Sequence, residues 1–103
     1  MSLKLILLTG VEEYKNEIKR VLIKSSVKSF SYNEVTGHEP DVDVATHSNW
    51  FVGDRFETNS LLFFAFIEEQ HVESLFNNVK EFNDSLESVS HLHLISLQVE
   101  KSI

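Results

Sequence analysis

The chain contains no cysteine, one proline, three glycines and one tryptophan in 103 residues. Without thiols there is neither a disulfide staple nor a thiolate metal site. Any metal would have to be held by imidazole and carboxylate, which suit Zn, Cu(II), Ni and Co. No Gly-rich phosphate loop is present, and no Ser, His or Asp sits in a nucleophile-elbow or comparable catalytic setting, so a non-enzymatic role is expected. Basic residues are scarce too: 9 Lys and Arg stand against 16 Asp and Glu, a formal charge of −7. Nucleic acids and anionic membranes are bound through clusters of Lys and Arg, so neither is expected as a partner. The apolar run Leu61 to Ile67 has only seven residues, against the roughly 20 that a bilayer span needs. The run Leu3 to Leu8 is shorter, contains Lys4 and lacks a small-residue cleavage site, so it does not read as a signal peptide. A cytoplasmic location without membrane insertion is the expectation.

What is present is a globular composition, 42% hydrophobic with eight Phe, on a chain long enough for one two-layer domain. The chain is organised around Leu61-Leu62-Phe63-Phe64-Ala65-Phe66-Ile67. As a strand it places Leu61, Phe63, Ala65 and Ile67 on one side and Leu62, Phe64 and Phe66 on the other. Helices of the same chain can cover one sheet face. Leaving the second set in water would forgo roughly 1.5–3 kcal/mol per side chain, a large share of the about 5–15 kcal/mol that stabilises a small domain. Something outside the monomer is therefore expected to cover that face.

Read in order, Leu3 to Leu8 is a first strand. Thr9-Gly10-Val11-Glu12 has capping-box spacing and predicts a helix start, with Tyr14, Ile18, Val21 and Leu22 as its apolar stripe and Ser25-Ser26 as its end. The run Lys15, Lys19, Arg20, Lys24 and Lys28 lies along this helix among Glu12, Glu13 and Glu17, and reads as its solvated face. Val27 to Thr36 is a second strand closed by Gly37, followed by a polar, aperiodic connection to about Asn59. A connection of that length is usually functional or partly disordered. After the central strand, Glu68-Glu69 opens a second helix with Val72, Leu75, Phe76, Val79 and Phe82 on one stripe. His91 to Val99 is the last strand, with His91, His93, Ile95, Leu97 and Val99 on one face.

The order β-α-β-β-α-β predicts an α+β, ferredoxin-like sandwich: a four-stranded antiparallel sheet, strands one and three central, with two helices on one face. The other face is left bare, which favours self-association.

Several segments resemble the PII-type signal-transduction proteins. Val27-Lys28-Ser29-Phe30-Ser31-Tyr32-Asn33-Glu34-Val35-Thr36-Gly37-His38 is similar to the family's run from the end of its first helix into its second strand. Ser60 to Val72 resembles the third strand and second-helix start, and Leu94 to Glu100 the closing strand. The resemblance implies a homotrimer, ligands in the clefts between subunits, and an effector loop at about 37–59. The family's Gly-rich basic turn, which wraps nucleotide phosphates before the last strand, has no counterpart: Ser85 to Ser90 holds neither Gly nor Lys. The basic residues that follow the family's last strand are reduced to Lys101. Divergent PII-like proteins, related to the divalent-cation tolerance proteins or associated with heavy-metal efflux, fit these departures better.

Candidate ligands follow from residue type. His38, Glu39, Asp41, Asp43 and His47 form a polar set in the loop; their spacing matches no tight metal motif, and they read either as metal ligands or as an ordinary solvated loop. His91 and His93, two residues apart, either share an ion or form a half-buried strand pair. Gly37, His38, Trp50 and Phe51 are the loop residues expected at a ligand cleft, with simple anchoring of the loop an equal alternative for Trp50 and Phe51. A small trimeric sensor of a divalent transition metal, signalling to a partner such as a membrane transporter, is the leading expectation. An adenine-nucleotide-responsive module and a dimeric ferredoxin-like enzyme are the alternatives.

Overall fold

The computed structural model describes residues 2–38, 57–86 and 90–103. Strand β1 (Leu3–Val11) is the centre of the sheet, antiparallel to β3 (Glu57–Glu68) on one side and to β4 (His93–Gln98) on the other. Strand β2 (Ser31–His38) pairs antiparallel with the far edge of β3, so the order is β2-β3-β1-β4. Helices α1 (Lys15–Lys24) and α2 (Val72–Asp84) each follow a single 3-10 turn, Glu12–Tyr14 and Glu69–His71. The fold is the expected α+β sandwich, with the two most apolar strands central.

The core lies between one sheet face and the helices. Ile6 and Leu8 of β1 and Leu61, Phe63, Ala65 and Ile67 of β3 meet Ile18, Val21 and Leu22 of α1 and Leu75 and Val79 of α2. The i, i+4 spacing of the helical residues and the i, i+2 spacing of the strand residues both bring one face inward. Phe76, expected in the second stripe, is instead 38% exposed. Leu75 and Val79 already fill the contact, and Phe76 lies a step around the helix from them.

Local signals were overridden in four places. Thr9 does not cap a helix: it is a buried residue of β1, paired with Leu62 on one side and His93 on the other. The neighbouring Gly10 faces the core so closely that a Cβ there would lie 2.5 Å from Leu92 Cδ2 and 3.0 Å from Ile18 Cδ1. Val27 does not begin β2. It completes the cap of α1, where the Ser26 N–H donates to Ile23 O, the Val27 N–H donates to Leu22 O, and Ser26 takes a left-handed φ of 69°. That is the Schellman arrangement, normally built with glycine, and it drops the buried Val27 side chain onto the core. Gly37 and His38 are strand residues, paired with Thr58 and Glu57, rather than the start of the connection. His91, finally, precedes β4 rather than belonging to it.

Polar contacts join the end of α1 to α2, and β1 to the 3-10 turn before α2. The Ser25 hydroxyl donates to Val21 O at 2.7 Å and accepts from Asn78 Nδ2 of α2 at 2.9 Å. Lys4 pairs with Glu69 at 3.6 Å.

Candidate functional site

The bare sheet face carries the strand residues that alternate with the core set. Register stacks them in rows: Phe66, Leu5 and Leu97; Phe64, Leu7 and Ile95, with Ser31 beside Phe64; and Leu62, Thr9 and His93, with Asn33 beside Leu62. The first two rows are apolar, and among their members Phe66 is 59%, Leu97 43% and Ile95 39% exposed. The third row is polar at its ends. Within it the Thr9 hydroxyl is buried and has no hydrogen-bond partner among the described residues, an arrangement native structures rarely leave unmet.

Two grooves adjoin this face. One is lined by Leu5, Phe66 and Leu97 with the following segment Gln98 to Lys101. The other lies at the β4 edge, between the second half of α2 and the start of β4, and is lined by Phe76, Lys80, Asn83, Asp84, His91 and His93 among others. Asn83 fixes its geometry, donating from Nδ2 to Leu92 O at 2.9 Å and accepting the Leu92 N–H at Oδ1 at 2.8 Å. The side chain thereby imitates a strand partner for Leu92. His93 is half-buried, and loss of hydration pushes its pKa below the ordinary 6.5, with the nearby His91 charge acting the same way.

Of the residues singled out in the sequence, His91 and His93 come together in the second groove. Gly37 and His38 end β2 at the far edge of the sheet. Glu39, Asp41, Asp43, His47, Trp50 and Phe51 lie outside the described residues. Among the described residues no group of three or more His, Cys, Asp and Glu is arranged to hold a metal ion. No described helix is long and apolar enough to cross a membrane.

No protein-family model matches the chain, and no curated protein matches it. Solved structures do. CPII, a nitrogen regulatory PII-like protein from Thiomonas intermedia K12 bound to ADP, AMP and bicarbonate, superposes with a TM-score of 0.64 over 100% of this chain and 98% of its own, at 15% identity. CPII bound to ADP and bicarbonate gives a TM-score of 0.62 at 16% identity, covering 98% and 91% of the two chains. A DUF3240 family protein from Shewanella baltica OS155 gives 0.68 at 12% identity, covering 99% and 94%. The fold is PII-like. At these identities the likeness concerns the course of the backbone, and side chains at this PII-like chain's grooves have to be read from its own sequence.

On that reading, two of the structural contributors carry little signal in the sequence. Thr9 is hidden within a capping pattern, and Asn83 within the polar triplet Asn83-Asp84-Ser85. The available clue for Asn83 was its type: Asn can offer donor and acceptor together to one backbone unit.

Proposed function

We propose that this chain is a small PII-like regulatory protein, not an enzyme. Copies assemble through the bare sheet face into a homotrimer, a small ligand binds in the clefts so formed, and the connection between β2 and β3, expected over about 37–59 and bounded by His38 and Glu57, acts as an effector loop that carries the ligand's effect to a partner protein such as a membrane transporter. The observation that carries this reading is the exposure of Phe66, Ile95 and Leu97 on a sheet whose other face holds the packed core. Apolar surface in that amount is characteristic of an interface, and a second helical layer to cover it is absent among the described residues. A ligand shifts such a loop only as far as it binds one loop state better than the other.

For the ligand we propose a divalent transition metal, taken either by His91 and His93, within one subunit or shared between two, or by His38 at the end of β2 with Glu39 and His47. The depressed His93 pKa favours the neutral imidazole, the form that ligates metal. Calorimetric titration with Zn, Cu, Ni and Co should give saturable heat that is lost in a His91→Ala/His93→Ala variant or a His38→Ala/His47→Ala variant. Absence of saturable heat with every ion removes the metal. A stable single polypeptide at micromolar concentration in the ultracentrifuge removes the assembly and the regulator with it, and a dimer by light scattering supports the ferredoxin-like enzyme instead.

A nucleotide is the second reading, favoured by the ADP and AMP held by the CPII structures. Against it stand the −7 charge and the lack of Gly and Lys in Ser85 to Ser90. Stabilisation by adenine nucleotides in a thermal-shift screen, with none from metals, would decide for it.

A further inference from the structure

The basic run along and just after α1 does not behave as one solvated face. Of Lys15, Lys19, Arg20, Lys24 and Lys28, the last three are exposed, whereas Lys15 and Lys19 are partly buried against the sheet. The i, i+4 spacing sets these two side by side on the flank of α1 that overhangs β2. Both ammonium groups converge on one aromatic ring: each Nζ lies 5.0 Å from the centre of Tyr32.

Tyr32 is held in place from beneath. Its ring stacks on the fully buried Phe63, with centroids 4.8 Å apart and planes 28° off parallel. Phe63 takes one face of the ring, so the two lysines are left the other face and the hydroxyl edge. Hydrogen bonds from Lys15 and then Lys19 hold the phenol below its ordinary pKa of 10.0. Among the described residues neither lysine is ion-paired with a carboxylate, and the ion pair present there joins Lys4 to Glu69. Glu34, two residues along β2 on the same face, is the nearest acid by register, and it makes no such pair.

Two like charges have thus been gathered at one point, in a chain that is acidic overall, without a counter-charge among the described residues. Cation–π attraction accounts for one ammonium over a tyrosine ring but not for a second beside it, since the two repel. We propose that Lys15, Lys19 and the Tyr32 hydroxyl form a binding site for a small oxyanion of the phosphate or carboxylate type, set on the α1–β2 flank away from the His91 and His93 groove. The lysines supply charge-assisted donors and the phenol a third, directional donor on a ring that cannot swing away. The site is complete within one subunit and is independent of the proposed assembly.

The test is calorimetric titration with sodium phosphate and, separately, sodium acetate, each at constant ionic strength against chloride. Saturable binding is expected with at least one of them, and which one identifies the oxyanion. Lys15→Gln/Lys19→Gln should weaken it at least 10-fold, Tyr32→Phe a few-fold, and Lys15→Arg/Lys19→Arg should retain it. Lys24→Gln/Lys28→Gln removes the same charge from the same segment and should leave binding unchanged. All substituted side chains are at least partly exposed, and circular dichroism confirms each fold before titration. The site is overturned if neither anion saturates at millimolar concentration, or if the Lys24/Lys28 variant weakens binding as much as the Lys15/Lys19 variant.

Discussion

Strand β3 presents two faces from one run of sequence, a single residue out of phase. Leu61, Phe63, Ala65 and Ile67 are at most 5% exposed, whereas Phe66, flanked by two of them, is 59% exposed. The residues are of the same kind, and the difference is entirely in what the chain places over them. Helix stripes on α1 and α2 supply a cover for one face. For the other, the described residues supply none. Hydrophobic content alone therefore does not separate core from interface: the count of available covering elements does.

The strongest way to break this comparison is to truncate one phenylalanine on each face. Phe63→Ala should cost about 3–5 kcal/mol in urea unfolding, because it opens a cavity in packed core. Phe66→Ala, measured where the chain is dissociated, should change stability by less than about 0.5 kcal/mol while weakening self-association. Equal losses would mean that both faces are core within one subunit. Adjacent residues on opposite faces give the next contrast. Gly10→Ala pushes a methyl into Leu92 and Ile18 and should cost about 1–3 kcal/mol. Thr9→Val, which exchanges a buried hydroxyl without a partner among the described residues for a methyl, should be neutral or stabilising by up to about 1 kcal/mol. A loss there would reveal a partner for the hydroxyl.

Smaller effects sharpen the same division. Ser26 holds a left-handed φ of 69° at the end of α1, so Ser26→Gly should raise the unfolding midpoint by the equivalent of roughly 0.5–1 kcal/mol. His93 tests the open face by pH. Its folded pKa lies below 6.5, so the unfolded chain takes up the proton first, and stability falls as pH drops from just above 6.5 toward the folded value, with no further loss below it. The midpoint of wild type should decline across that window more than that of His93→Gln. Parallel curves would assign the decline to other groups.

The same division explains what could be read in the sequence. Strand order, both helix stripes and the two faces of β3 follow from periodicity, which burial enforces over many residues at once. Misreadings fell where one or two residues carried the signal. Thr9-Gly10-Val11-Glu12 satisfies the capping-box pattern, yet pairing with β3 gives Thr9, Gly10 and Val11 to the strand, and Thr9 pairs with β4 as well. Val27 has strand propensity, but the reversal of the chain at Ser26 claims it for the helix cap. At the candidate sites, His91 and His93 line one groove, although His91 stands before β4 and not on the strand face where their spacing put it. The meeting of Lys15 and Lys19 with Tyr32 was not legible, because it depends on which flank of α1 overhangs β2, a matter of packing geometry that linear spacing does not encode.

The two hydrogen bonds between Asn83 and the main chain of Leu92 have a bearing on how this architecture can diversify. They weld the end of α2 to the threshold of β4, so the alignment of the final strand is fixed at the weld and not by the span between. Residues inserted or exchanged in that span would bulge outward without dragging β4 along β1. A lineage carrying this asparagine is free to experiment with the length and chemistry of the turn while the sheet stays in step.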